Sequence, residues 1–260
     1  MGDIISLVSG KGGVGKTFIS INLAYALSNV FNKRVVLIDG NVTTPNVSIN
    51  LNILDFTYTI HDVLAGRISI TDSIINLPYK FDVVVGSLSL KDLNSIDLEK
   101  WGDVLEYIKP YYDYIIIDSS AGIGREVYHI LEHSDNSIIV TTPDKSSVMD
   151  SYRVIKLSEY LNTFVLGTVL NRYSKKLSLL RPSFVEKFTG YPILSVVYED
   201  SYRVRESLNN GVPYLHIYKD NPTAKGLLDL ASKIAGEPYV IESPKKSFAE
   251  RLLELLGIKK

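Results

Sequence analysis

The chain has 260 residues, 45% of them hydrophobic and 22% charged, which supplies a real core and excludes intrinsic disorder and collagen-like repeats. Its 28 Lys and Arg against 29 Asp and Glu leave a net charge of −1, which argues against a globally basic nucleic-acid binder. Cysteine is absent, so disulfides, cysteine-ligated zinc, iron–sulfur clusters and thiol nucleophiles are excluded together.

Met1-Gly2-Asp3 carries an acid where a secretion signal needs a basic region, and no apolar run approaches the ~18 residues that span a bilayer. A cytoplasmic protein is expected, with any membrane contact peripheral. Short β-branched runs predict strands over 4–9, 34–39, 82–85, 114–118, 137–142, 165–170 and 193–197. Several of them, such as Val35-Val36-Leu37-Ile38 and Ile115-Ile116-Ile117, lack polar alternation, as strands covered on both faces do. Helical lengths and periods fall between the strands, over 17–29, 98–109, 124–133, 146–161 and 223–235. The alternation predicts an α/β fold: a doubly wound, mostly parallel sheet of seven to eight strands with helices on both faces. The sheet domain is expected over 1–236, followed by a linker over 237–244 that contains Pro238 and Pro244.

Gly10-Lys11-Gly12-Gly13-Val14-Gly15-Lys16-Thr17 satisfies G-x-x-x-x-G-K-[ST] between an expected strand and an expected helix. Glycines let backbone N–H groups turn inward around phosphate oxygens, and the helix N-terminus adds its positive dipole end. In such a loop Lys16 reaches the β- and γ-phosphates and the Thr17 hydroxyl ligates Mg²⁺, so ATP or ADP with Mg²⁺ is the expected cofactor set. Ser146-Ser147 reads as the cap of the helix that follows. His61, His129, His133 and His216 have neither metal-like nor triad-like spacing, and the 17 tyrosines are scattered.

Lys11, inside the loop, is not demanded by the ordinary motif. With it, the segment resembles the deviant Walker A signature of the MinD/ParA ATPase family. The likeness continues through Asp118-Ser119-Ser120-Ala121-Gly122-Ile123, Thr141-Thr142-Pro143-Asp144, Asn171-Arg172, Glu199-Asp200 and Gly211-Val212-Pro213. Asp62-Val63-Leu64-Ala65-Gly66 resembles archaeal MinD sequences in particular. The resemblance implies an ATP-dependent homodimer in which Lys11 crosses to the partner's nucleotide. It implies Mg²⁺ near Thr17, Asp39 and Asp118, and adenine contacts from Asn171 and Arg172. Two positions depart from the family pattern. Phe18 stands where a hydroxyl residue usually meets the α-phosphate, leaving only its backbone N–H. Asn41 replaces the second acid of Asp-x-Asp, so Lys11, Lys16, Asp39 and Asn41 form the expected catalytic set, with slow hydrolysis.

Residues 245–260, KKSFAERLLELLGIKK, gather Phe248, Leu252, Leu253, Leu255 and Leu256 on one helical arc between terminal lysines. This resembles the membrane-targeting tail of MinD proteins and implies peripheral attachment at the inner face of the membrane, or a protein partner. A DNA-segregating relative and a scaffold that barely hydrolyses ATP are the alternative readings; the near-neutral charge and the tail argue against the first.

Overall fold

The computed structural model describes residues 2–239. In chain order it contains β1 (Asp3–Ser9), α1 (Lys16–Asn29), β2 (Val35–Gly40), α2 (Val47–Asn50), α3 (Ile60–Leu64), β3 (Ile75–Asn76), β4 (Asp82–Val84), α4 (Leu90–Leu93), α5 (Trp101–Ile108), β5 (Tyr114–Ala121) and α6 (Arg125–Glu132). There follow β6 (Asn136–Thr141), α7 (Lys145–Tyr160), β7 (Phe164–Tyr173), α8 (Pro182–Thr189), β8 (Ile193–Tyr198), α9 (Ser201–Asn209), α10 (Tyr214–Ile217) and α11 (Pro222–Ala235). The strands form one sheet in the order β3-β4-β2-β5-β1-β6-β7-β8. Every pair is parallel except β3 with β4. This is the doubly wound fold expected from the strand–helix alternation.

The unbroken apolar runs now have a physical reason. Successive side chains leave opposite faces of a strand. Val35 and Leu37 enter the core beneath α1 and α11, whereas Val36 and Ile38 enter the core with α3 and α5. In β6, Ile138 and Val140 join the first of these cores, while Ile139 joins a third beneath α6 and α7. Burying each such side chain contributes about 1.5–3 kcal/mol. α1 lies so deep that all but one of its first thirteen residues are buried, including Ser20, Asn22 and Ser28. Asn22 meets that burial by donating to the Phe18 carbonyl at 2.8 Å and accepting from the Leu215 N–H at 3.0 Å.

The seven expected strands are all present, with ends shifted by three residues at most. β3 is missed because two residues carry no period. The helix expected over 98–109 begins as a 3-10 turn, Leu98–Lys100, before α5. α8 and α9 were not expected: both are short and largely exposed, with few buried positions to mark a period. The expected linker starts as docked chain: Glu237 pairs with Lys33 at 2.6 Å, and the Tyr239 hydroxyl donates to Asp229 at 2.8 Å. The expected amphipathic segment 245–260 lies outside the described residues.

Candidate nucleotide site

The loop between β1 and α1 is shaped by its neighbours. At Gly10 an added Cβ would lie 2.1 Å from the Asp150 carbonyl carbon on α7, so only glycine permits that approach. Gly15 has φ 94°, and its Cβ position lies 2.3 Å from Asn171 Nδ2. That amide donates to the Val14 carbonyl at 2.8 Å, so the end of β7 locks the turn. α1 then starts with no side-chain cap and no acid in its first turn. Its orphan N–H groups and positive end are therefore left for an anion.

Lys16 is buried and donates to Ser9 Oγ at 2.8 Å, and Ser9 Oγ donates to the Lys11 carbonyl at 2.8 Å. Burial lowers the Lys16 pKa, opposed by the charge of Asp118. Asp118, at the same rim of the sheet, accepts from Thr17 Oγ1 at 2.5 Å and from Ser20 Oγ at 3.1 Å. Burial raises its pKa, and the Thr17 hydroxyl, Lys16 and the Ser20 hydroxyl oppose the rise. Thr17 and Asp118 thus form a hydroxyl–carboxylate pair of the kind that holds Mg²⁺ beside a nucleotide. Among the described residues, no three His, Cys, Asp or Glu side chains converge as a metal cluster of their own.

Asp39 pairs in register with Asp118 across β2 and β5. It is fully buried, and its oxygens accept from the backbone N–H groups of Asn41 at 3.2 Å, Asn46 at 2.9 Å and Val47 at 2.9 Å. Burial and the neighbouring Asp118 charge push its pKa up to about 8, against those three donors. Asp39 is thus the anchor of the 41–46 loop, with its acceptors committed to backbone. Asn41 lines the cleft, but its amide turns back on its own loop, donating to the Thr44 carbonyl at 2.6 Å and accepting from Thr44 Oγ1 at 3.2 Å. Phe18 is buried against Tyr214 at 5.7 Å between ring centroids, which accounts for an aromatic residue at this position.

Lys11 is exposed at the loop's outer side, where Nζ donates to Ser146 Oγ at 3.1 Å. Asp144, not the serine pair, caps α7: it accepts from the Ser147 N–H at 3.0 Å and from Ser146 Oγ at 2.8 Å. A carboxylate accepts from N–H groups more strongly than a hydroxyl, and Ser147 turns instead toward Thr141 at 2.9 Å. Lys16, Thr17, Phe18 and Asn41 border one cleft of about 1270 Å³ that runs on to Asn171, Arg172 and α9. Arg172 lines it with a left-handed backbone, φ 55°.

Sequence reasoning missed three residues that shape this cleft. His61 is fully buried, its Nε2 2.8 Å from the Val42 carbonyl and its Nδ1 accepting from the Ser87 N–H at 3.0 Å. The Thr43 hydroxyl donates to Glu126 Oε1 on the first turn of α6. These contacts span 19, 26 and 83 residues, so no local motif announces them.

A family model described as an AAA domain matches residues 2–164. An uncharacterized ATP-binding protein of Methanocaldococcus jannaschii is 33% identical over 252 residues, covering 96% of this chain and 95% of its own. The cell division ATPase MinD of Pyrococcus furiosus superposes with a TM-score of 0.86 at 32% identity, over 91% of this chain and 99% of that one. The chain belongs to the MinD/ParA family of P-loop ATPases. Another MinD structure, from Pyrococcus horikoshii and complexed with Mg-ADP, has a TM-score of 0.85 at 31% identity, covering 90% and 96%. In this MinD/ParA-family chain the uncapped helix start, the buried lysine and the Thr17–Asp118 pair suit a Mg-nucleotide on chemical grounds.

Proposed function

We propose that the protein is an ATP-driven switch: two copies join around two Mg-ATP molecules, and slow hydrolysis returns them to monomers. The single observation that carries this reading is the division of labour between two lysines in one loop. Lys16 is buried at the start of α1, whereas Lys11 stands exposed on the outer side, and among the described residues its Nζ meets only the Ser146 hydroxyl. Ile123 and Met149, 58% and 53% exposed, lie one on the segment after β5 and one on α7, the elements that flank this rim. That apolar surface suits a second copy of the chain.

In this reading the 10–17 loop and Lys16 hold the phosphates, Thr17 and Asp118 hold Mg²⁺, and Asn171 and Arg172 face adenine. Asp39 acts on the reaction by holding the 41–46 loop in place. The 245–260 segment supplies peripheral attachment to the inner face of the membrane, and two tails in a dimer give the avidity that one lacks. An additional protein partner would read the dimer state.

Size-exclusion chromatography with ADP, ATP and a non-hydrolysable analogue tests the switch. Wild-type protein elutes as a dimer only with ATP or the analogue, and Lys11→Ala keeps ADP affinity but stays monomeric. A Lys11→Ala protein that dimerises at wild-type strength removes Lys11 from this role. A chain truncated after Glu242 keeps its melting temperature and nucleotide affinity but no longer co-sediments with anionic liposomes in ATP; unchanged sedimentation refutes the membrane role of the tail.

A further inference from the structure

We propose that Glu126 is the residue that orients and deprotonates the attacking water in this ATPase; the assignment rests on the ATP hydrolysis proposed above. Phosphoryl transfer to water needs an acceptor that holds the water in line with the γ-phosphorus. Asn41 stands in the phosphate half of the cleft, but its amide oxygen and nitrogen are both spent on Thr44. Asp39 is spent on three backbone N–H groups. Asp118 is spent on Thr17 and Ser20. At the far end of the cleft, Glu199 takes the Ser201 hydroxyl, and Asp200 caps α9 and pairs with Arg203.

Glu126 differs from all of these. It lines the same cleft from the first turn of α6, directly beyond the segment that follows Asp118. Its Oε1 is fixed by the Thr43 hydroxyl, two residues from Asn41. Its Oε2 is buried and has no hydrogen-bond partner among the described residues. An unmatched buried carboxylate oxygen is costly, and a water donating to it would relieve that cost. The Thr43 contact does more than hold Glu126. It joins α6 to the 41–46 loop, so the carboxylate is oriented only when both walls of the cleft are in place.

In the step assigned to it, the water oxygen bonds to the γ-phosphorus as the β–γ bridging P–O bond breaks and leaves its electron pair on ADP. The water proton passes to Glu126 and from there to solvent. Glu126→Gln is the informative change, because the amide oxygen still accepts from Thr43 while the proton acceptor is gone.

The test combines single-turnover hydrolysis, equilibrium binding of a fluorescent ATP analogue, and the lifetime of the ATP dimer by size exclusion. Glu126→Gln is expected to bind the analogue within about twofold of wild type, to hydrolyse at least ~10-fold more slowly, and to hold the ATP dimer correspondingly longer. Adding Asn41→Asp to that variant places a carboxylate on the neighbouring loop, and turnover recovers about tenfold, a larger gain than the same change gives in wild type. A structural role alone would lower the melting temperature and would not be rescued from position 41. Glu126→Gln turnover within about twofold of wild type, or equal gains from Asn41→Asp in both backgrounds, overturns the assignment. A wild-type protein that binds ATP and releases no phosphate overturns the hydrolysis reading itself.

Discussion

Two loops meet in the cleft, and they are held by opposite means. The 10–15 loop is fixed chiefly by its own backbone, through left-handed glycines and the close approach of α7 at Gly10, with a single side-chain clasp from Asn171. The 41–46 loop is strung from side chains of three other elements: Asp39 on β2, His61 on α3 and Glu126 on α6. A backbone-fixed loop is a rigid receptor for phosphate. A loop held by side chains can respond when any one of its holders changes charge or position, which suits the part of the site that must differ before and after hydrolysis.

The sharpest way to test the rigid side is Lys16→Ala. If the buried cation, and not the backbone alone, secures the phosphates, affinity for a fluorescent ATP analogue falls roughly 10²–10³-fold. A loss under about tenfold would mean that the glycine loop does most of the holding. On the responsive side, His61→Ala leaves the Val42 carbonyl and Ser87 N–H without their partner. It is expected to cost about 3 kcal/mol, to lower the melting temperature by about 6–12 °C, and to accelerate amide exchange at Ser87. Gly10→Ala drives a methyl into the α7 backbone and is expected to cost about 2 kcal/mol, a melting shift of about 4–8 °C.

A further test of the responsive side is a matter of pH. The Asp39 carboxyl, at about 8, sits above its unfolded value of about 4, so the folded protein holds the proton more tightly. That contribution is complete below about pH 4 and is lost as the pH rises to about 8. Without nucleotide, wild type should therefore lose melting temperature across this window by about 3 °C or more relative to Asp39→Asn, which has no proton to release. The variant's amide oxygen can still serve the Asn46 and Val47 N–H pair. Parallel melting curves for the two proteins would show that Asp39 is already ionised when folded.

The same contrast explains what could be read from the sequence. A loop fixed by backbone writes itself locally, and Gly10 to Thr17 declared the fold, the nucleotide class and the helix start together. The double-sided strands Val35–Gly40 and Tyr114–Ala121 were equally legible, because burial on both faces leaves no polar period. His61 carries no local signal; only the sheet order, which sets β4 beside β2, brings it under the Val42 carbonyl. Glu126 lies eight residues beyond Asp118 and becomes meaningful only when Thr43 arrives from another crossover. The α7 cap was misassigned for a simpler reason: Asp144 and Ser146-Ser147 are all good capping residues, and the carboxylate wins on strength.

α1 begins at Lys16 on the wall of the cleft and ends at Asn29, four residues before the Lys33 that grips Glu237. Fourteen residues at 1.5 Å each make a rod of about 21 Å. Sheathed by protein on almost every side, that rod cannot bend cheaply, so a push at its first turn arrives at its far end as a displacement of the whole. Glu237 is therefore held near the distal end of the helix that starts at the cleft, and a distance probe between Val30 and Tyr239 would register whether a nucleotide bound at one end moves the other.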